Sequence, residues 1–394
     1  MVPIPEASPQ AVAFEQAKFL LWLLEGAWGF AILILLCCTG GSARLRTIAE
    51  RAYGGKLWVT TIIFGLLLSA MLSAWVLPIS WLKVLLRIEF GLAAPSAAEW
   101  LAGAARNAAI QALFFGAFLW VPYAILKRTG RCAWIVCWCC MTVLILAMKF
   151  VGPTWIDPIV KPLTPLGDSG IAHRLEMLAS EADVRGVPIV VDNDETARES
   201  VFADVVGFGP GARIRVSNAL LQLPEEEVVF AVAHEMGHFV LGHLVQDAML
   251  AISIWFLALL IAQRLGERIL QSYAGRFGFS SLTDVASAPL LAVLLLSVMA
   301  VCWPLERALA RHDEREADIF ALELTRNGNA AGRMLTRSHT NLSNPRRRGI
   351  VQFLRHDHPP LADRIAFANH YSPWESGEPL RFEMRFKRNP GAMR

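Results

Sequence analysis

Residues 231–243 read AVAHEMGHFVLGH, and the interpretation of the whole chain depends on this stretch. It contains His234, Glu235 and His238 in an H-E-x-x-H pattern. On an α-helix, side chains four residues apart lie on one face, so both imidazoles can bind the same metal ion. Glu235 lies about 100° further round the helix and can reach a water on that metal as a general base. The pattern favours a zinc hydrolase centre over a polar helix face whose histidines are only solvated.

A catalytic zinc ion normally has three protein ligands, and the pattern supplies two of them. His243 follows His238 by five residues, about 140° round a continuous helix, so we expect it to support other residues and not to bind the metal. The third ligand must then come from a distant helix. Glu314 begins the stretch E-R-E-A-D, and Asp318, one turn later, can hydrogen-bond a ligand imidazole. Taken alone, these charges are more typical of an ordinary solvated helix face.

The composition indicates a membrane protein. Hydrophobic residues make up 55% of the 394 residues and charged residues only 18%, whereas soluble domains contain about 25% charged residues. Much of the surface is therefore expected to face lipid. The formal net charge is only +3, with 34 acidic residues, so we expect no nucleic-acid partner. All seven cysteines lie in apolar runs, which favours small membrane-core residues over a metal site or disulfides.

Six apolar runs indicate about six transmembrane helices, because about 20 apolar residues cross a bilayer. The runs are 19–38, 57–82, 108–126, 132–148, 248–262 and 285–305. The fifth run is short for a full span. The first run lacks a basic flank and a small-residue cleavage site, so no cleavable signal peptide is expected.

Several further motifs resemble the type I CAAX prenyl protease family, with the heat-shock membrane protease HtpX as a related branch. The two-histidine motif is followed, after about 75 residues that enclose a membrane hairpin, by E-x-x-A-D. Other segments with a counterpart in the family are 161–166 (KPLTPL), 207–221 (a hairpin and the approach to the motif helix), 242–243 (GH) and 358–365 (HPPLADRI). The resemblance covers about residues 150–370.

The resemblance implies a membrane zinc metalloprotease of the gluzincin type. It implies that His234, His238 and Glu314 bind one Zn²⁺ ion per chain. Glu235 would activate the attacking water and transfer its proton. The partners would be a peptide or protein substrate and the lipid membrane.

Three more residues receive roles from the resemblance. Asp318 would contact a ligand imidazole instead of the metal. His358 and Arg364 would lie near the cleft and stabilise the tetrahedral oxyanion. For His358 the alternative is simply a turn before two prolines.

The expected fold is a mostly α polytopic membrane protein with about six transmembrane helices and a zincin-like α+β catalytic domain with a small β-sheet. The expected parts are an N-terminal membrane region (1–152, about four transmembrane helices), a soluble catalytic part ending in the H-E-x-x-H helix (153–247), a membrane hairpin (248–305) and a C-terminal helical part with the third ligand and the H-P-P segment (306–394). In the soluble part, 187–191 is predicted as a strand and 205–216 as a hairpin.

One departure from the family leaves the substrate open. Phe202, Ala203 and Asp204 stand where the family has Asn-Ala-Tyr. Strand addition could still dock a peptide, because it uses main-chain groups. The departure motivates an alternative, a non-proteolytic membrane peptide-binding or scaffold protein on the same fold.

A transporter or channel would need ionisable residues within the spans, and only Lys149 and Asp247, both near span ends, are candidates.

The Arg- and Ala-rich composition and the compact length indicate an integral multi-pass protein of a bacterial inner (cytoplasmic) membrane. Prenylation of substrates is not expected there, so we predict proteolysis in general and not CAAX processing. The positive charges of the short loops do not decide which side bears the site. The sequence does not indicate an oligomeric state.

Overall fold

A computed structural model describes residues 1–53, 56–184, 186–193, 200–207 and 209–386. The chain divides into two compact units. The first unit contains Met1–Val12, Val143–Ala251 and Trp303–Arg394, and the second contains Ala13–Thr142 and Ile252–Cys302. Phe208, in the predicted hairpin, and 387–394, at the end of the predicted C-terminal part, lie outside the described residues.

Sixteen α-helices lie in the described part of the chain. In chain order they are α1 Pro9–Cys38, α2 Gly41–Tyr53, α3 Leu57–Glu89, α4 Ala97–Phe118, α5 Trp120–Thr129, α6 Ala133–Val151, α7 Asp157–Val160, α8 Gly170–Glu181, α9 Asn218–Leu221, α10 Glu225–Val240, α11 His243–Phe277, α12 Ala288–Thr325, α13 Gly328–Arg337, α14 Gly349–Arg355, α15 Leu361–His370 and α16 Pro373–Ser376.

Five helical stretches among the described residues are long and apolar enough to cross a membrane, by length and composition. They are Pro9–Cys38, Leu57–Glu89, Ala97–Ile156, His243–Phe277 and Val285–Thr325. The expected number of about six is therefore approximate. The predicted third and fourth runs both lie in Ala97–Ile156, on either side of Gly130, where φ is +53° and α5 ends.

The short fifth apolar run is part of a much longer helix. The prediction ended it at Ala262, where the apolar composition ends, but α11 continues to Phe277 and has 35 residues. Residues such as Gln263 and Arg264 are polar yet good helix formers, so composition and helix end do not coincide. The motif helix does not run into α11, because Gly242 separates them with φ +76°.

The first unit contains a small mixed sheet of four strands, β1 Leu163–Pro165, β2 Ile189–Asp192, β3 Ala203–Val206 and β4 Arg213–Ser217. Their order in the sheet is β1-β2-β4-β3. β1 and β3 pair antiparallel with their neighbours, and β2 pairs parallel with β4. Val205 of β3 pairs with Ile214 of β4, as the predicted hairpin requires. β3 is an edge strand next to the motif helix.

Each unit has its own hydrophobic core. In the first unit, the inward side chains of the sheet pack with α8, α10 and α12, for example Leu175, Ile214 and Phe320, all fully buried. In the second unit, Phe64 is part of a buried cluster with Tyr123, whose hydroxyl lies 2.9 Å from Ser287 Oγ. The core of the first unit is the one that positions the candidate site.

Candidate active site

The motif helix α10 starts with strong local signals. Pro224 is its N-cap, and Glu225, Glu226 and Glu227 occupy its first turn, where carboxylates interact favourably with the helix dipole. Glu227 is almost fully buried and accepts hydrogen bonds from Arg333 and Arg337 of α13, at 3.1 and 2.9 Å. These contacts hold the start of the motif helix against α13.

Three predicted ligand side chains converge in the first unit. His234 Nε2 and His238 Nε2 lie 3.1 Å apart. Glu314 Oε2 lies 3.5 Å from His234 Nε2, and Glu314 Oε1 lies 3.4 Å from His238 Nε2. Glu314 Oε2 is buried and makes no hydrogen bond to the described residues.

These distances fit a metal ion. Two ligand atoms about 2.0–2.1 Å from a tetrahedral zinc ion lie about 3.3 Å from each other. The separations between the two imidazoles and Glu314 are 3.1–3.5 Å. Two unprotonated nitrogens and a carboxylate are the donors of a catalytic zinc site with an open position. The three residues can therefore hold the ion that the sequence predicted.

The close approach of α10 and α12 depends on Gly237, between the two histidines. A Cβ at this position would lie 3.2 Å from the Cα of Ala317 and 3.2 Å from the Cβ of Phe320. Ala317 follows Glu314 by three residues on α12. The missing side chain thus lets α12 bring Glu314 within reach of the histidines.

Glu235 faces the edge strand of the sheet. Its Oε2 accepts a hydrogen bond from the main-chain N–H of Val205, at 2.9 Å. Burial raises the pKa of the Glu235 carboxyl to about 7. The N–H of β3 thereby orients the carboxyl beside the three candidate ligands.

Asp318 and Arg364 lie behind the candidate ligands. Asp318 Oδ1 lies 3.1 Å from His234 Nδ1, the ring nitrogen opposite the one that faces Glu314. Arg364 donates to Asp318 through Nε and Nη2, at 2.8 and 2.7 Å. Its Nη1 lies 3.3 Å from Glu314 Oε2. All of these side chains are at most 12% exposed.

A cleft of about 470 Å³ opens onto these residues. His234 and Glu235 line it together with the predicted pair His358 and Arg364. His358 is 51% exposed; its Nε2 lies 3.3 Å from Glu314 Oε1 and its Nδ1 lies 2.8 Å from Asp357 Oδ1. Four of the seven predicted site residues thus line one cleft, namely His234, Glu235, His358 and Arg364. The other three, His238, Glu314 and Asp318, lie 3.1–3.5 Å from the imidazole of His234.

The segment that departs from the family also reaches the cleft. Phe202 and Ala203 line it. Asp204 instead accepts hydrogen bonds from the guanidinium of Arg215, the residue paired with it on β4. Arg215 also donates to Asp157, at 3.0 Å. The carboxylate of Asp204 is therefore engaged within the sheet.

Two family models match the chain. The model of peptidase family M48 matches residues 165–372, and the model described as CAAX prenyl protease N-terminal, five membrane helices, matches residues 5–161. Together with the candidate spans, the second match confirms the prediction of an integral multi-pass membrane protein.

Similar proteins include an uncharacterized metalloprotease, YhfN, of Bacillus subtilis (strain 168), 24% identical over 92% of this chain and 86% of that protein. A CAAX prenyl protease 1 homolog of Arabidopsis thaliana is 27% identical over 61% of this chain and 57% of that protein. The bacterial relative is in keeping with the predicted bacterial inner membrane.

The fold is similar to that in the crystal structure of S. mikatae Ste24p, with a TM-score of 0.72 and 17% identity over 94% of this chain and 92% of that one. This likeness confirms the predicted mostly α membrane fold with a small sheet. Because the M48 model alone covers more than half of the 394 residues, the resemblance is confirmed and this chain belongs to peptidase family M48, a family of metalloproteases.

Proposed function

We propose that this protein is a membrane-embedded zinc metalloendopeptidase. The observation that carries the proposal is the convergence of His234 Nε2, His238 Nε2 and the Glu314 carboxylate beside the partly buried Glu235 carboxyl. His234, His238 and Glu314 would hold one Zn²⁺ ion. When bound, the ion would polarise the scissile carbonyl and lower the pKa of a water molecule.

Glu235 moves the proton in this proposal. Its Oε2 accepts the N–H of Val205, which leaves Oε1 to take the proton of the attacking water. The carboxylic acid then donates this proton to the leaving amine nitrogen.

His358 and Arg364 act on the charge that develops in the cleft. With a proton on each ring nitrogen, the one on Nδ1 donated to Asp357, the half-exposed imidazole of His358 can donate from Nε2 to the tetrahedral oxyanion. Arg364 donates to Asp318 through Nε and Nη2. It would therefore stabilise the oxyanion through Nη1 and through its positive charge. Asp318 Oδ1, 3.1 Å from His234 Nδ1, is placed to favour the tautomer of His234 that carries its proton on Nδ1 and leaves Nε2 free for the metal.

The substrate is an extended peptide that lies along the edge strand β3. An edge strand offers main-chain donors and acceptors to a peptide irrespective of the peptide's sequence. The Arabidopsis relative is named a prenyl protease, but Phe202 lines the cleft where the family has Asn. We therefore propose peptide hydrolysis in general and not CAAX processing.

Product profiling of the purified protein tests the proposal. The wild type and Glu235→Gln are compared on a peptide library in detergent, with the zinc content of each measured. Loss of the general base is expected to lower kcat/KM by about 10²–10⁴-fold, with zinc retained. A Glu235→Gln protein that retains zinc and cleaves as fast as the wild type would falsify the proposal.

The same assay tests the alternative of a non-proteolytic scaffold. A wild type that binds peptides at the cleft without zinc-dependent, chelator-sensitive turnover would support it. The intact set of His234, Glu235, His238 and Glu314 favours the protease, since a degenerate relative is expected to lose at least one of them.

The division into the parts 1–152, 153–247, 248–305 and 306–394 stays a prediction, in which folding of the third part brings Glu314 to the motif helix.

A further inference from the structure

His243 lies directly behind one of the candidate ligands. The motif helix ends at Val240, and the left-handed backbone of Gly242 turns the chain so that α11 begins at His243. The His243 ring then packs edge-on against His238, with His243 Nδ1 2.9 Å from His238 Nδ1. This is the nitrogen of His238 that points away from His234 and Glu314. His243 is only 2% exposed.

The other nitrogen of His243 points at two carboxylates. His243 Nε2 lies 3.6 Å from Glu316 Oε2 and 3.9 Å from Asp313 Oδ1, both on α12. This nitrogen is buried and makes no hydrogen bond to the residues that the structure describes. The other oxygen of this carboxylate, Glu316 Oε1, accepts from Arg381 Nη2. Glu316 Oε2 also lies 3.6 Å from His312 Nε2.

The number of protons on each imidazole determines which ring nitrogen donates in these contacts. A neutral imidazole carries one proton on its two ring nitrogens. If His238 binds a metal through Nε2, its proton is on Nδ1 and points at His243 Nδ1. The latter must then be the unprotonated nitrogen, so the proton of neutral His243 lies on Nε2. There it faces Glu316 and Asp313, the only carboxylates within ion-pair distance of it among the described residues.

We propose that His243 is a positioning residue that fixes the tautomer and the ring orientation of His238, with Glu316 and Asp313 fixing the tautomer of His243 in turn. The proposal rests on the proposed function, because it assumes that His238 binds zinc through Nε2. A buried N–H with a carboxylate behind it keeps the ligand nitrogen basic and correctly aimed. Asp318 is placed to do the same for His234 directly, 3.1 Å from its Nδ1, whereas His243 stands between His238 and the carboxylates of Glu316 and Asp313.

A second metal ion is the competing explanation of this cluster. His243, Asp313 and Glu316 offer ligand atoms within 4.8 Å of one another. A metal on His243 Nε2 would require the His243 proton to be on Nδ1, where it would oppose the Nδ1 proton of His238 at 2.9 Å. A metal ion on His238 Nε2 and a second one on His243 Nε2 are therefore incompatible with neutral imidazoles, and the geometry favours a single ion with His243 as a positioning residue.

Zinc affinity distinguishes these explanations without an activity assay. The metal-free wild type, His243→Leu and His243→Asn are titrated with Zn²⁺ against a competing chelator. Asn offers an Oδ1 acceptor near the position of Nδ1, whereas Leu offers none. We expect His243→Leu to bind zinc about 10–100-fold more weakly and to change the visible spectrum of bound Co²⁺. We expect His243→Asn to retain most of the affinity. His173→Leu, which removes a 70% exposed histidine on α8, is the matched control and should bind as the wild type does.

Three results would overturn the proposal: wild-type affinity in a folded His243→Leu protein, an equal loss in His243→Asn, or two zinc equivalents in the wild type of which His243→Leu loses one. Thermal unfolding of the metal-free proteins shows whether each variant is folded. If His243→Leu does not fold, the double variant Asp313→Asn, Glu316→Gln removes the two carboxylates proposed to fix the tautomer of His243, and an unchanged zinc affinity would contradict the proposal. A wild type that neither binds zinc nor cleaves peptides would refute the proposed function as well, so the two failures are distinguishable.

Discussion

At the scale of single residues, Arg364 holds the carboxylates of the site together. Its fork donates to both oxygens of Asp318 and lies 3.3 Å from Glu314. Two carboxylates this close would repel each other in a buried site if no cation lay between them. Because Arg364 is 12% exposed and Asp318 3%, solvent screens this interaction little. A metal ion bound by Glu314 would add a second positive charge beside the guanidinium that pairs with Asp318.

Replacing Arg364 should destabilise the fold. Arg364→Leu leaves Asp318 without its bidentate partner, and breaking such a buried pair costs about 3–5 kcal/mol. Arg364→Lys keeps the charge but not the fork, so we expect a smaller loss. The measurement is equilibrium unfolding in detergent. The control is Arg348→Leu, which removes the 69% exposed partner of Asp363 and should cost at most about 1 kcal/mol. Equal effects of Arg364→Leu and Arg348→Leu would refute this role.

At the scale of elements, the site depends on how closely α10 and α12 pack. Glu314 and the two histidines lie on different helices, so their distances are set by the contact between the helices and not by either helix alone. Gly237 is the point of closest approach, with Ala317 and Phe320 facing it. Interiors pack densely, so these neighbours have little room to move away.

Gly237→Ala should therefore weaken metal binding. Alanine usually stabilises a helix by about 0.5–1 kcal/mol relative to glycine. Here the added methyl group meets a main-chain atom at 3.2 Å and should push α12, with Glu314, away from the histidines. We expect a higher zinc dissociation constant, measured by chelator competition. Gly275→Ala in α11, where a Cβ would meet nothing within 4 Å, is the control and should be neutral or stabilising. A Gly237→Ala protein with wild-type zinc affinity would show that α12 can adjust.

At the scale of the whole molecule, the first unit is assembled from three separate parts of the chain. Even the N-terminus belongs to it: the Val2 N–H donates to Asn369 Oδ1 at 2.8 Å, and Asn369 donates back to the Val2 carbonyl at 2.9 Å. The proposed metal ligands come from two of the three parts, since the motif helix precedes the 252–302 segment and Glu314 follows it. A bound ion would therefore link distant parts of the chain.

Metal removal should accordingly lower the stability of the whole unit. A ligand that binds only the folded state stabilises it by RT ln(1 + [L]/Kd), about 4 kcal/mol at a thousandfold excess over Kd. We expect a chelator to lower the thermal unfolding temperature and added Zn²⁺ to restore it. Glu314→Gln should lose this response because one ligand is impaired. If zinc raised the unfolding temperature of Glu314→Gln as much as that of the wild type, the stabilising ion would be bound elsewhere.

Much of the architecture is local in origin and follows from the sequence alone. The i, i+4 spacing places His234 and His238 on one helix face, whatever the surrounding fold. The acidic start of α10 and the apolar runs are local as well, so each predicted apolar run lies within a helical stretch long enough to cross a membrane, although most of these stretches extend well beyond the run. The predicted end of the fifth run at Ala262 was wrong, because α11 continues to Phe277 as a helix after its apolar composition ends.

Contacts between distant residues were decided by the tertiary structure. The sequence predicted that Glu314 and Asp318 approach the histidines only through a family resemblance, because no periodicity relates residues on different helices. The fork of Arg364 on Asp318, 46 residues away, carries no local signal at all. His243 shows the difference most clearly. A continuous helix would turn it about 140° from His238, but the left-handed Gly242 ends the helix and brings the two rings together. Local spacing determines which side chains share a face, and only packing determines what that face meets.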